Sequence, residues 1–309
     1  DMNYTTAIKG LSILTVVWAH SGAMLSVGKI QFIAGIGVAL FLICSGYGLE
    51  ISYKKNGLQG FWKKRLWGVC FPFWGIELIG LLATGIFSVR TYLLDFFFLK
   101  PATEYGWFMG YIVICYLIFY VVKRFVPVEK RIVVLFGAFA VWFVVESLFF
   151  ANPDMPFLRA RQMLSFPFGV LIAMKKNKIE NMLLKVKSML FLILGGIMCL
   201  AITQLDAVKE LPYLVTNTIA ILTCLPIAIG ILFFGKEFSE FSENKMLLMV
   251  GTISYEIYLV HAFTLNLVDM SVMNSLLFIA VTYVCACILH MGMRKIKNDR
   301  FNSSYLNKK

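Results

Sequence analysis

Apolar residues run through this chain in ten blocks separated by short polar stretches. The blocks lie near residues 6–27, 30–53, 66–88, 105–126, 131–151, 161–175, 187–204, 213–235, 247–268 and 273–293. Most have the roughly 17–25 residues that a helix needs to cross a bilayer. The sixth is short and Pro167 interrupts it, while Pro72 and Pro226 are candidate kinks in the third and eighth. The run Tyr92 to Leu99, with Asp95 inside it, is too short to span and reads as an interfacial or re-entrant piece. Phe61 to Arg65 reads as a basic interfacial lead-in to the third helix. No internal repeat or linker interrupts the pattern. The expected fold is all-α: one polytopic membrane domain over residues 1–309 with about ten transmembrane helices.

Composition agrees with the pattern. Sixty per cent of the residues are hydrophobic and 15% charged, against roughly 45–50% and about 25% in a soluble domain. The first apolar block has no small-residue cleavage site after it and is expected to be retained as a helix. The net charge of +12 would suit nucleic acid, but its placement is topological. Of 29 Lys and Arg, 22 lie in the even-numbered loops and C-terminal tail, six in the odd-numbered loops, and Lys9 in the first block. That asymmetry predicts cytoplasmic termini and no nucleic-acid partner. The seven cysteines all lie in apolar runs without a CxxC pair, and read as small core residues rather than metal ligands.

Against this background a few polar residues stand out. Lys9 and His20 are eleven positions apart on the first helix. That is about 16 Å of rise and nearly three whole turns, so the two share a face. Ionisable groups inside a span are costly and usually face protein or a watery cavity. A snorkelling lysine and a core histidine are the plainer readings of each alone. On the ninth helix, Ser254, Tyr258 and His261 also share a face, with His261 expected at a depth similar to that of His20. Ser45 sits in Ser-Gly-Tyr-Gly, a small-residue stretch suited to close helix packing, with no nucleophile elbow around it. Glu50, near the inner face, is placed to neutralise Lys9. Glu77, Glu146 and Glu256 lie within spans and either pair with cations or line a cavity. His290 reads as structural. The run Lys63, Lys64, Arg65 is either a positive-inside anchor or a phosphate grip.

Several of these pieces resemble one family, the acyltransferase-3 integral membrane acyltransferases. Lys9-x10-His20 resembles its Arg/Lys-x10-His motif. Gly37-Val-Ala-Leu-Phe-Leu-Ile-Cys-Ser-Gly46 looks like its second-helix G-V-x-L-F-F-x-x-S-G. Phe61 to Pro72 is similar to its basic stretch ending in an aromatic-flanked proline, and Trp107-Phe108 to the start of its fourth helix. Ser254-Tyr255-Glu-Ile-Tyr258-Leu-Val-His261 resembles its late S-Y-x-I-Y-L-x-H signature. The resemblance implies transfer of an acyl group, often acetyl, from cytoplasmic acyl-CoA to a hydroxyl of a sugar or cell-surface glycan. It implies His20 as the catalytic base with Lys9 beside it, and Lys63, Lys64 and Arg65 as donor contacts. His261, Tyr258, Ser45, Trp107, Tyr111 and Glu50 are then expected to line the acceptor's site. The implied setting is a bacterial plasma (inner) membrane, without a metal, with a homo-oligomer open. Two departures stand out: lysine replaces the usual arginine at Lys9, and Gly68 stands where an Arg-x-x-Arg would place its second arginine.

Two other readings fit the composition. An acyltransferase acting on another small molecule or a lipid-linked precursor shares the same site. A transporter of polar substrate would explain buried charges, but predicts two related halves with broken helices, and no such repeat is evident.

Overall fold

The computed structural model describes residues 3–21, 32–149, 159–265 and 272–306. Among these the chain is helical, with no strand. Its principal helices are α1 (Asn3–Ser21), α2 (Phe32–Asn56), α3 (Phe61–Ala83), α4 (Val89–Phe96), α5 (Trp107–Phe125), α6 (Arg131–Phe149), α7 (Ser165–Met174), α8 (Lys176–Leu183), α9 (Val186–Thr203), α10 (Tyr213–Glu237), α11 (Lys245–Thr252), α12 (Ser254–Leu265) and α13 (Val272–Leu306). Seven of the described helices are long and apolar enough to cross a membrane, or eight when α11 and α12, broken at Ile253, are counted as one span. The other two expected segments are also helical: α1, whose expected span runs past the described residues, and the shorter α7.

Three local expectations are corrected. Phe61 to Arg65 is no separate lead-in, because α3 runs unbroken from Phe61 to Ala83. A π turn at Leu66–Cys70, in which the Phe71 N–H reaches the Leu66 carbonyl, carries the helix into Pro72. Pro167 does not interrupt the sixth segment. It falls in the first turn of α7, where a missing N–H leaves no helical bond unmade. The ninth segment is two helices rather than one. Pro226, by contrast, lies within a continuous α10.

By contact the chain divides into two units. The first comprises residues 1–20, 29–59 and 111–251. Its core gathers Ile8 of α1, Leu40 and Ile43 of α2, Ile172 of α7, and Cys224, Ala228 and Phe233 of α10. Glycines bring these helices together. A Cβ on Gly46 would collide with the Phe166 carbonyl of α7, and one on Gly169 with the Ile43 carbonyl of α2. A Cβ on Gly196 of α9 would stand 2.8 Å from the Thr223 carbonyl of α10. Small residues are the usual means of close helix approach where no hydrophobic force separates protein from lipid.

The second unit comprises residues 21–28, 60–110 and 252–309. Here α4 folds back on α3. The Trp74 indole N–H donates to the Phe96 carbonyl (3.1 Å) and the Tyr92 hydroxyl to the Trp74 carbonyl (3.2 Å), while the Trp74 and Phe96 rings stack. Gly80 of α3 leaves room for the Phe263 ring of α12, which a Cβ would approach to 2.5 Å. The expected re-entrant piece near Tyr92 is thus a short helix pinned to α3.

Candidate active site

In the first unit, Lys9 and His20 both lie on the continuous α1, half-buried, with His20 in the last turn. The helix is clamped on both sides. A Cβ on Gly10, beside Lys9, would collide with the Leu247 carbonyl of α11, and one on Gly251 would collide with the Thr6 carbonyl of α1. On the other side, Gly37 of α2 lies against Thr15, Ser12 and Val16. The Ser12 and Thr15 hydroxyls are turned back onto α1 carbonyls, to Ile8 at 2.7 Å and Ser12 at 2.8 Å. Lys9 and His20 are the basic side chains of this helix.

The register of α2 on α1 carries a further consequence. The two run antiparallel with Gly37 opposite Ser12 and Thr15, so His20, about 7 Å beyond Thr15, is level with the first turn of α2. Arg161 and Gln162 reach that same end. The Gln162 amide donates to the Gly35 carbonyl (2.9 Å), and the Arg161 guanidinium lies 3.8 Å from where a Gly35 Cβ would stand. Arg161 is a candidate site cation that sequence reasoning counted only as loop charge. Its one legible signal is an arginine at the very start of an apolar segment.

Of the other residues expected in this unit, Lys9 lies within electrostatic range of Cys44, next to Ser45. The Ser45 hydroxyl is 3.4 Å from that of Tyr116 on α5, as suits a packing role. Tyr111 is fully buried, stacked on Trp142 with its hydroxyl 3.6 Å from the Met163 sulfur. Glu50 does not neutralise Lys9. Its Oε2 is 2.6 Å from Lys123 Nζ, and both side chains are 3% exposed. Lys123, counted above as a loop cation, belongs to α5, and its ammonium lies over the Tyr53 and Phe119 rings. That end of α2 is a buried ion pair.

In the second unit, α12 assembles what its periodicity predicts. His261 is fully buried, with Nδ1 2.6 Å from the Tyr258 carbonyl. In the neutral ring Nδ1 must carry the proton it gives that carbonyl, which leaves the lone pair on Nε2. The Tyr258 hydroxyl donates to the Tyr105 carbonyl (2.9 Å), and the Tyr105 and His261 rings lie 5.3 Å apart. Phe108, next to Trp107, stands edge-on to Tyr258. Trp107, Tyr258 and His261 are thereby brought together through Tyr105 and Phe108. Ser254 is buried on the same helix. The neighbouring Tyr255 hydroxyl reaches the Val69 carbonyl in the π turn of α3 (2.6 Å).

Two acids underlie this cluster. Glu77 of α3 and Asp95 of α4, both buried, act electrostatically on one another and on Tyr258. Two buried carboxyls this near disfavour the state in which both are charged. Burial pushes the Asp95 carboxyl up to about 6. The other intramembrane acids have basic or polar partners. Glu256 meets His290 Nδ1 at 2.7 Å, which makes His290 structural as expected, and Glu146 accepts from the Trp142 indole (3.2 Å) near Arg159.

Lys63, Lys64 and Arg65 occupy successive positions in the first turns of α3. The two lysines are exposed, and Arg65 is half-buried with its guanidinium over the Phe61 ring. The same helix leaves Gly68 with no atom within 4 Å of a Cβ position, next to the stacked Trp67 and Phe71 rings. The basic turn thus fronts an open aromatic surface.

An all-helical chain with this many spans, and with its polar groups held on helix faces, is a polytopic membrane protein. It matches the family model described as an acyltransferase domain, of the acyltransferase-3 type, over residues 2–292, and belongs to that family. It is therefore a membrane acyltransferase. No curated protein and no solved structure matches it.

Proposed function

We propose that this acyltransferase moves an acyl group, acetyl by preference, from acyl-CoA on the cytoplasmic side to a hydroxyl of a sugar or cell-surface glycan. The observation that supports this most is the placing of Lys9 and His20 on one face of a helix clamped by Gly10 and Gly37. A sugar hydroxyl is a weak nucleophile at neutral pH, and a positioned imidazole lowers that barrier by accepting its proton, typically worth about 10²–10⁴ in rate. His20 takes the proton as the hydroxyl oxygen bonds to the thioester carbonyl carbon. The tetrahedral intermediate collapses with cleavage of the C–S bond, and the proton passes from His20 to the departing thiolate. Lys9, nearer the donor's side, supplies positive charge for the donor. Lys63, Lys64 and Arg65 contact its phosphates, and Arg65 offers the planar fork suited to them. Trp107, Tyr258 and His261 hold the acceptor, whereas Ser45, against Tyr116, and Tyr111, stacked on Trp142, pack the helices. Glu50 supports α2 through its pair with Lys123 instead of touching substrate.

The test is to incubate the purified protein with acetyl-CoA and glycan acceptors and follow free thiol and acceptor mass. Thiol release together with an acceptor gain of one acetyl group supports the reading. Absence of both across sugar acceptors, with turnover on another hydroxyl compound, would reassign the acceptor.

A further inference from the structure

Where α2 meets α7 and α8, Lys54, Lys175, Lys176 and Lys178 line an open cavity of about 350 Å3, with Ile51 and Met174 on its apolar side. Among the described residues no carboxylate lines it. The elements that form it carry two acids in all, Glu50 on α2 and Glu180 on α8. Each is held by a lysine outside the cavity, Glu50 by Lys123 and Glu180 by Lys236. Lys54, Lys175 and Lys178 thus border, with Lys176, a space beside which the described acids of these helices are engaged elsewhere. Lys54 is fixed there by its bond to the Ala173 carbonyl (2.6 Å) at the end of α7.

We propose that this cavity binds the phosphate of an anionic phospholipid headgroup. Ammonium groups hold phosphate as point charges. The cavity lies at the polar end of α2, just past its apolar run, which is headgroup depth for a helix that spans. Clusters of lysine at that level attract anionic lipid. Ile51 and Met174 offer an apolar wall to the start of a lipid's acyl chains, which a soluble phosphate has no use for. Its lining includes none of Lys9, His20, Lys63, Lys64 or Arg65, and the proposal does not depend on the acyl acceptor.

Native mass spectrometry of the delipidated full-length protein, titrated with phosphatidylglycerol or phosphatidylcholine, tests it. The expected result is one retained phosphatidylglycerol at concentrations where phosphatidylcholine does not remain. Lys178→Gln changes an exposed side chain and should weaken that adduct about fivefold, the effect of one lysine near an anionic surface. Lys54→Gln should weaken it at least as much. Lys55→Gln, next in sequence but outside the cavity, should leave it unchanged. Equal losses for Lys55→Gln and Lys178→Gln, or no preference between the lipids, would overturn the proposal. So would displacement of the lipid by inorganic phosphate or coenzyme A at similar concentrations, which would assign the site to a soluble phosphate.

Discussion

Gly10 and Gly251 face one another across α1 and α11, and their backbones are so close that a Cβ on Gly10 would stand 3.1 Å from the Gly251 nitrogen. The helix bearing Lys9 and His20 is thus seated against its neighbour without an intervening side chain. Gly10→Ala or Gly251→Ala should destabilise the detergent-solubilised protein by about 1–3 kcal/mol, as overpacking does. Gly48→Ala, where a Cβ meets nothing within 4 Å, should be neutral or slightly stabilising. Thermal unfolding of the three variants makes the comparison. Equal behaviour of Gly10→Ala and Gly48→Ala would contradict the packing described.

The Glu50–Lys123 pair should behave as a buried ion pair. Lys123→Met alone strands a carboxylate and is expected to cost about 3–5 kcal/mol, whereas Lys123→Met with Glu50→Leu should recover most of that loss. A double-mutant cycle by denaturant or thermal unfolding measures the coupling. Additive losses would show that the two side chains do not depend on each other.

Asp95 gives the chain a pH dependence with a definite sign. Its carboxyl is raised by burial from 3.8 to about 6. Between about pH 4 and 6 the folded chain keeps a proton that the unfolded chain has released. The Asp95 contribution to stability therefore falls as pH rises through that window. Glu77 and Tyr92 face Asp95, and Tyr258 lies within reach of the pair. Asp95→Asn keeps a neutral partner for Glu77 and should remove this component. Melting temperatures of both proteins at pH 4 and 7 decide the matter, and an unchanged difference in the variant would rule the component out.

The His261 tautomer is open to direct observation. Nitrogen-15 NMR of histidine-labelled protein should show a protonated Nδ1 and a bare Nε2. His261→Asn, which retains an N–H near the Nδ1 position, should fold yet lose the Nε2 acceptor. The reverse tautomer would mean that the Tyr258 carbonyl does not hold the ring as described.

Much of this architecture is legible in the chain because bilayer thickness and backbone satisfaction leave few alternatives to long apolar helices. The shared face of Lys9 and His20, and that of Ser254, Tyr258 and His261, follow from helical periodicity alone. What escapes a linear reading depends on contacts between distant segments. Lys123 sits at the basic end of an apolar block and reads as an anchor until Glu50, on another helix, is found against it. Asp95 looks like a charge in an interfacial stretch until α4 folds back and sets it beside Glu77. Arg161 is a loop cation by position and a neighbour of Gly35 by packing. The continuity of α3 is hidden because Pro72 reads as a kink and Phe61 to Arg65 as an interfacial stretch, while the π turn that carries the helix into Pro72 has no sequence mark.

The central claim is that His20 accepts the acceptor's proton, and the initial rate of acyl transfer by His20→Ala tests it most directly. With helicity and melting temperature matched to the parent, the rate should fall by about 10²–10⁴, and His20→Gln, which has no basic nitrogen, should not restore it. A well-folded His20→Ala that acylates its acceptor at the parent rate would contradict the mechanism.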